Sequence, residues 1–305
     1  MKCKFTRLII STPNCINIVS SEPYLIIVPQ LITEYKHPVS GVISTYGSNL
    51  LLLSENNYLA YCIVAEDGRY ELLREYRIAT GEKFTDFHRA VLATDEYLGN
   101  AFRSVSIGIS NKRMVLVPGA VFNREESVRY LESGAPVWST DEVKADYLEK
   151  QDIHLVYAFR SAIYQAYRNA FPNMKLENAL STYIKRLEAI VALHDLGYKV
   201  FVNTLHDTMY IVVYRNRQLC YANVYEFATA EDFLYYIMLI YKEFQLDPES
   251  VPTYLSGKID INSTLHDLLK RYIRQPEFIQ ALAEPSLVID NLPAHVYFDL
   301  SSLNV

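Results

Sequence analysis

The sequence predicts an α/β protein with mixed sheets, built from two similar halves that are joined by a helix. Two observations lead to this prediction. Three apolar strands separated by short polar breaks begin near residue 49, and three more begin near residue 199. Each set ends on a similar phrase, YRIAT at 76–80 and YEFAT at 225–229. A duplication of this kind places any binding site in a cleft between the halves.

The first half has the pattern of a strand meander followed by alternating helices and strands. Asp67-Gly68, between the second and third strands, is a hairpin signal. Phe87 and Val91 have the spacing of one face of an amphipathic helix. The predicted strands are 49–54, 58–66, 69–78, 105–109, 114–117 and 153–159, and the predicted helices are 84–94, 124–132 and 160–171.

The second half repeats this order after a linking helix at 176–196, which Gly197 ends. Thr229 and Asp232 have the spacing of a capping box in front of an apolar helix. The other predicted elements of this half are strands at 199–205, 208–214, 217–227, 252–255 and 296–300, and helices at 230–245 and 262–273.

The N-terminal segment fits neither half. It contains four prolines, which break helices and central strands. We therefore predict a poorly ordered N-terminal extension at 1–45, a first lobe at 46–175, and a linking helix with the second lobe at 176–305. The alternative for the extension is an edge strand at 24–28.

Composition excludes several classes of protein. The net charge of −6 argues against a nucleic-acid partner, which would require clustered Lys and Arg. No apolar run reaches the roughly 18 residues of a membrane span, so we predict no membrane insertion. The four cysteines have no metal-site spacing, and Cys62 and Cys220 are predicted to be buried, reduced thiols. Reduced thiols and a short N-terminal apolar run predict a cytoplasmic protein.

The order of elements predicts a known architecture. Three antiparallel strands followed by helix, strand, helix and strand form a ribonuclease-H-like half. Two such halves joined by a helix are the plan of actin, hexokinase and the chaperone ATPases. The predicted fold is therefore the actin-like ATPase fold.

Several segments of the second half resemble a family of uncharacterised bacterial proteins, the domain-of-unknown-function family 3822. The segments that carry the resemblance are NVYEF at 223–227, EDFLYYI at 231–237, YLSGKI at 254–259, residues 265–273 and, in the first half, VLVP at 115–118. The resemblance covers roughly residues 46–300. It implies an actin-like ATPase fold with no assigned activity. The chain is also similar to the cytoplasmic actin-like scaffold proteins of pilus and secretion machines.

Active members of the superfamily hold Mg-ATP between two hairpins of the type Asp-x-Gly, and this chain departs from that pattern twice. In the first hairpin Ser54 stands in place of Asp and Asn56 in place of Gly. In the second hairpin Asn203 replaces Asp and Leu205 replaces Gly. Phosphoryl transfer depends on positioned charge, so ATP hydrolysis is not expected.

A few features of a nucleotide site remain at the predicted cleft. Thr208 matches a hydroxyl often found there, and Ser256-Gly257 keeps one glycine of a third, adenosine-binding element. If the register is shifted by a residue, Glu55 or Asp207 supplies the missing carboxylate. The candidate cleft residues are Ser54, Glu55, Asn56, Asn203, Asp207, Thr208, Ser256 and Gly257.

No other pattern in the sequence predicts chemistry. Histidine precedes aspartate at 194, 206 and 266, but adjacent residues do not face each other on a helix or strand. Only His206-Asp207, at a hairpin tip, is placed to face the cleft. We predict no catalytic residue, no metal site, and neither ATP nor magnesium as a cofactor.

The sequence therefore favours a non-catalytic adaptor or scaffold that holds a protein partner in the cleft or at a sheet edge. The alternatives are a nucleotide-binding ATPase or kinase-like enzyme with atypical phosphate loops, and a small-molecule sensor. Geometry distinguishes the first two. A carboxylate from each half in the cleft favours the enzyme, whereas Leu205 filling the cleft favours the adaptor.

Overall fold

The computed structural model describes residues 29–37, 43–78, 84–279 and 292–304. The strands are β1 (Gln30–Lys36), β2 (Asn49–Ser54), β3 (Tyr58–Val64), β4 (Tyr70–Arg77), β5 (Ser104–Ile109), β6 (Met114–Pro118), β7 (Asp141–Leu148), β8 (Ile153–Arg160), β9 (Lys175–Asn178), β10 (Tyr198–Thr204), β11 (Thr208–Arg215), β12 (Gln218–Glu226), β13 (Thr253–Gly257) and β14 (Pro276–Phe278). The α-helices are α1 (Phe84–Thr94), α2 (Ser127–Glu132), α3 (Ser161–Ala170), α4 (Ala179–Leu193), α5 (Ala230–Glu243), α6 (Thr264–Leu269) and α7 (Phe298–Ser301).

The two large sheets repeat one strand order. The first sheet runs β1-β4-β3-β2-β5-β9, and the second runs β12-β11-β10-β13-β14. In each half the first three strands pair antiparallel and the next two add in parallel. Without β1, the two orders correspond strand for strand. The structure therefore shows the duplication that the sequence predicts.

The strand β1 differs from the expectation for the N-terminal segment. Gln30–Lys36, which we expected within a poorly ordered extension, pairs antiparallel with β4 at the edge of the first sheet. Pro29 directly precedes the strand, where no ladder hydrogen bond is needed. The alternative edge strand at 24–28 lies outside the described residues, as does the rest of 1–28.

The second sheet is covered on both faces, and its side chains alternate between two cores. Phe201, Tyr210 and Val212 belong to the main core, whereas Val202 and Ile211 belong to a separate core on the other face. Helices α5 and α6 supply residues to that second core. Cys220, predicted to be buried, is exposed because β12 is an edge strand, whereas Cys62 is buried as predicted.

A small third sheet is inserted between β5 and β9. Its order is β6-β8-β7, and α2 contacts all three strands. Strand β7 was not predicted, because acidic and basic residues at 141–146 hide its alternation. One face of this sheet packs on the main core and the other forms a small core of its own under α2.

The helix that links the halves is shorter than the predicted helix at 176–196. Residues 175–178 form β9 in the first sheet, and α4 begins at Ala179 because the Asn178 side chain accepts a hydrogen bond from the backbone N–H of Leu180. The helix ends at Leu193, and Gly197 follows with φ of +115°. The division into lobes at 46–175 and 176–305 stays a prediction.

The C-terminal segment is helical where a strand was predicted at 296–300. The backbone N–H of Val296 donates to the carbonyl of Pro293, which starts a turn, and α7 follows. Phe298, Leu300 and Leu303 are buried in the main core, which also contains side chains from both large sheets. The apolar residues at 296–300 therefore reflect contacts with both halves rather than a place in a sheet. Helix α6 is likewise shorter than the predicted 262–273.

Candidate functional site

A cleft of about 620 Å³ lies between the two halves, at the ends of β2, β5 and β12 and the start of β11. Side chains from both halves and from the inserted sheet line it. The lining residues are Ser54, Glu55, Asn56, Asn57, Ile109, Ser110, Asn111, Lys112, Arg113, Trp138, Phe159, Arg160, Ile163, Asp207, Thr208, Glu226, Phe227, Ala228, Asp232 and Tyr236. Five of the eight predicted cleft residues are among them, namely Ser54, Glu55, Asn56, Asp207 and Thr208.

The two hairpins that meet in this cleft touch each other directly. The Asn57 Nδ2 donates to Asp207 Oδ2 at 2.7 Å, and the Thr208 hydroxyl donates to Glu55 Oε1 at 2.8 Å. The rings of Tyr58 and His206 pack edge to face, with centroids 4.6 Å apart. Side-chain contacts therefore join the two loops that would have to separate around a phosphate chain.

The backbone shows how the two hairpins correspond. Glu55 N donates to the carbonyl of Tyr58, and Leu205 N donates to the carbonyl of Thr208. Glu55 thus occupies the place of Leu205, and Asn57 the place of Asp207. The sequence alignment of Ser54 with Asn203 is one residue out of this register. The Asn57–Asp207 hydrogen bond consequently joins two equivalent positions of the duplicated halves.

Glu55 is the most unusual ionisable residue of the cleft. Its Oε1 accepts hydrogen bonds from Thr208 and, at 3.1 Å, from Ser110, while its Oε2 has no partner. The side chain is only 5% exposed. Burial raises the pKa of Glu55 to about 8, and the nearby negative charges of Asp207 and Asp299 also raise it. Glu55 is therefore mainly protonated at neutral pH.

A histidine that was not selected from the sequence lies within hydrogen-bonding distance of the backbone of the first hairpin. His88 in α1 is fully buried, and its Nε2 lies 2.8 Å from the carbonyl oxygen of Glu55. Its Nδ1 lies 2.9 Å from the hydroxyl of Tyr167. Burial lowers the pKa of His88 to about 4, so the ring is neutral. The regular spacing of α1 predicts that His88 is near the core, but not that it bonds to the hairpin.

The remaining predicted residues lie beneath the cleft rather than in its wall. Ser256 donates to Asn203 Oδ1 at 2.8 Å, and the Tyr183 hydroxyl lies 3.0 Å from the Ser256 hydroxyl. Asn203 and Ser256 are fully buried. Gly257 has φ of +82°, and a Cβ there would lie 2.0 Å from the carbonyl oxygen of Thr204. These groups join β10 to β13, and none of them lines the cleft.

The structure does not fully agree with either of the two alternatives, enzyme or adaptor, that the sequence left open for the cleft. Glu55 and Asp207 place a carboxyl group from each half in the cleft. Leu205 is buried in the main core and does not fill the cleft. However, Glu55 is mainly uncharged, and Asp207 accepts a hydrogen bond from Asn57. Among the described residues, no group of three or more His, Cys, Asp or Glu side chains is arranged to hold a metal ion.

The residues that the sequence aligns with the metal-orienting carboxylates of the superfamily are Ser and Asn. In the backbone register Ser54 corresponds to Thr204, and neither side chain carries a charge that could orient Mg²⁺. Asn203 is buried, and its carbonyl oxygen already accepts from Ser256. The equivalent residues at the tips of the two hairpins are Asn56 and His206, so neither tip has a glycine.

One wall of the cleft carries a stacked tryptophan. The guanidinium groups of Arg113 and Arg160 lie 4.7 and 4.5 Å from the ring centroid of Trp138, and the buried Asp141 carboxylate binds both arginines. Trp138 is still 45% exposed. Because Trp138 lies in the loop before β7, a strand that was not predicted from the sequence, this wall was not predicted.

Among the described residues, ion pairs also join the halves at the cleft and below it. Lys112 binds Glu226 at 2.5 Å across the mouth of the cleft, where both side chains are more than half exposed. Deeper in the molecule, Lys258 binds Glu75, and the Tyr58 hydroxyl donates to the same Glu75 carboxylate at 2.5 Å. The exposed pair contributes little to stability, whereas the buried pair requires both partners.

The histidines that precede aspartate do not form acid–base pairs with their neighbours. The Nδ1 of His194 lies 2.8 Å from the carbonyl oxygen of Ile190, and the Nδ1 of His266 lies 2.6 Å from that of Ile261. His206 packs against Tyr58, and burial lowers its pKa. Only His206 lies at the hairpins, as predicted.

The cleft lies within the part of the chain that matches a known protein family. The family described as a protein of unknown function (DUF3822) matches residues 41–275, which include every residue that lines the cleft. The chain belongs to this family. A search of curated proteins finds no match.

Solved structures show the fold. A Bacteroides thetaiotaomicron protein with an actin-like ATPase fold and unknown function is similar at a TM-score of 0.75 and 18% identity, over 87% of this chain and 100% of that chain. A chain of the PilM-PilN type IV pilus biogenesis complex is similar at a TM-score of 0.57 and 15% identity, over 84% of this chain and 97% of that chain. The chain therefore has the predicted actin-like ATPase fold with two ribonuclease-H-like halves. No helix in the described ranges has the length and apolar character needed to cross a bilayer.

Proposed function

We propose that this protein is a non-catalytic adaptor or scaffold that holds a protein partner through the cleft between its halves. The observation that supports this most is the direct contact between the two hairpins through Asn57, Asp207, Glu55 and Thr208. An ATPase of this fold keeps these loops apart around phosphate. Here their side chains bond to each other, so the cleft is left with a polar floor and an aromatic wall.

The residues at the cleft support a degenerate nucleotide site. Ser54 carries no charge to orient magnesium, Asn203 is buried beneath the cleft, and Glu55 is mainly protonated at neutral pH. Without positioned charge, phosphoryl transfer loses nearly all of its catalysis. The proposal therefore includes neither ATP nor magnesium as a cofactor.

The character of the cleft wall supports a protein as the partner. Trp138 presents a partly exposed ring held rigid by two arginines, and rigid aromatic anchors of this kind dominate protein interfaces. The similar pilus-biogenesis chain belongs to a complex with another protein, PilN. The proposal places the protein in the cytoplasm, in agreement with two free thiols among the described residues.

Two measurements test the proposal. Calorimetry with Mg-ATP is expected to show no micromolar binding, and affinity capture from the native cell is expected to retain a specific protein. Trp138→Ala is expected to reduce that capture at least tenfold, as loss of a central aromatic anchor does. Tyr272→Ala, which removes an exposed ring remote from the cleft, is the matched control. Micromolar Mg-ATP affinity, or equal capture by the two variants, contradicts the proposal.

The second candidate is a nucleotide-dependent enzyme with atypical phosphate loops. The observation that favours it is the presence of Glu55 and Asp207, one acid from each half, in the same cleft. This function predicts ATP turnover that Asp207→Asn abolishes. Turnover with that dependence would replace the adaptor proposal.

A further inference from the structure

Polar contacts join the halves at the cleft, beside the packed rings of Tyr58 and His206, and one of them contains a buried acid without a cation. The hairpin contacts, defined as Asn57–Asp207 and Glu55–Thr208, lie at the cleft floor. Among the described residues, no Lys or Arg forms an ion pair with Glu55. In contrast, the other buried acid that joins the halves, Glu75, is neutralised by Lys258.

We propose that Glu55 is a proton-operated latch between the halves: the closed hairpin contacts hold a protonated Glu55, and loss of the proton releases them. The proposal concerns the regulation of the cleft to which we assign partner binding. It requires no ligand, so it can be tested separately from the proposed function.

The surroundings of Glu55 explain why its charge opposes closure. The negative charges of Asp207 in the second hairpin and Asp299 in α7 disfavour a negative charge on Glu55. Tyr210 from β11 has a buried hydroxyl without a partner, and His88 from α1 is neutral. A carboxylate in this position has no compensating positive charge and has lost its water. Such an unpaired buried charge destabilises the closed state.

The two oxygens of Glu55 show how release would proceed. Oε1 accepts from Ser110 in the first half and from Thr208 in the second, whereas Oε2 has no partner and is out of contact with water. Separation of the hairpins admits water to Oε2 and breaks the bond from Thr208. Hydration then stabilises the ionised form, so opening and proton loss favour each other.

The pH window follows from the two states. In the closed state the pKa of Glu55 is about 8, and in an open, hydrated state it returns towards 4.5. The closed form therefore binds more protons between these values. The equilibrium constant for opening rises by up to tenfold per pH unit as the pH increases through this window, and it is constant above it.

The test measures the distance between the halves in ligand-free protein. Spin labels are placed at the exposed positions Glu66→Cys and Glu231→Cys, after Cys3, Cys15 and Cys220 are replaced by Ser. Double electron–electron resonance at pH 5.5 and pH 9 is expected to show a longer-distance population that grows with pH. Glu55→Gln, a neutral isostere of the protonated acid, is expected to keep the short distance at both pH values.

The matched control is Asp146→Asn. Asp146 is also buried with a pKa raised to about 6, but it bonds to Tyr157 and Asn178 within the first half and its insertion. This variant is expected to behave like the wild type. A wild-type distance that does not change with pH, or the same change in Glu55→Gln, overturns the latch.

A second variant keeps the test decisive if Glu55→Gln does not fold. Asp207→Asn removes a negative charge that raises the pKa of Glu55, so the midpoint of the distance change is expected to move to lower pH. An unmoved midpoint, or one at higher pH, overturns the proposal. Because no ligand is present, either result leaves the tests of partner capture and Mg-ATP binding unaffected.

Discussion

At the residue scale, Gly257 is the glycine whose position has the clearest physical requirement. It lies at the end of β13 opposite Thr204, with φ of +82°. Gly257 N donates to the carbonyl of His295, and the next N–H, that of Lys258, donates to the carbonyl of Thr204. Gly257, which in the sequence resembles part of an adenosine-binding loop, therefore allows β13 to lie close to β10 in the structure.

Gly257→Ala is expected to destabilise the protein by about 2–4 kcal/mol, because the new Cβ combines positive-φ strain with overlap on the backbone of Thr204. Urea unfolding measures the change. Gly99→Ala is the control, since a Cβ there meets no atom within 4 Å and is expected to change stability by less than about 0.5 kcal/mol. Equal stability of the two variants would contradict the role given to Gly257.

At the element scale, α5 is the helix whose start was predicted best. The Thr229 hydroxyl accepts from Asp232 N, and the Asp232 carboxylate accepts from Thr229 N, which completes the predicted capping box. Asp232 also lines the cleft, so the cap that begins α5 fixes one edge of the candidate site. The pattern was visible because a capping box is a local contact between residues three apart.

Thr229→Ala is expected to cost about 1 kcal/mol, since it leaves the Asp232 N–H at the helix start without its partner. Thermal unfolding followed by circular dichroism measures the loss. Thr94→Ala, which removes an exposed threonine hydroxyl near the end of α1, is expected to change stability by less than about 0.5 kcal/mol. A larger effect at Thr94 than at Thr229 would show that the cap does not stabilise α5.

At the scale of the whole molecule, the two halves share one core. Helix α4, which links the halves, packs against the C-terminal segment, and Tyr183, Phe201 and Leu300 belong to one buried cluster. The inserted sheet also contributes to this cluster, through Tyr157. Because the main core contains residues of both halves, we expect the halves to unfold together.

Leu300→Ala is expected to destabilise the protein by about 2–5 kcal/mol, because it opens a cavity in this shared core. Trp138 fluorescence, which reports on the inserted sheet, and far-ultraviolet circular dichroism are expected to give the same lowered midpoint. Leu196→Ala, at a position 68% exposed, is the control. Separate midpoints for the two probes would show that the halves unfold independently.

The sequence by itself determined the features that depend on local pattern. Strand alternation, the Asp67-Gly68 turn and the capping box predicted most elements, and the repeated phrase predicted the duplication. The strand β7 and the short strand β9 were not predicted, because charged residues mask their apolar periodicity. The helix at 298–301 was predicted as a strand. Its apolar residues contact both halves, and the pattern of such a short segment does not distinguish a helix from a strand.

Only the tertiary structure decided how the two hairpins relate. The sequence identified both loops but set Ser54 against Asn203, one residue from the observed register. It gave no sign that the equivalent residues Asn57 and Asp207 bond to each other, or that Glu55 loses its water between the halves. These features arise from residues about 150 positions apart, and distances across a fold follow from packing rather than from local sequence pattern.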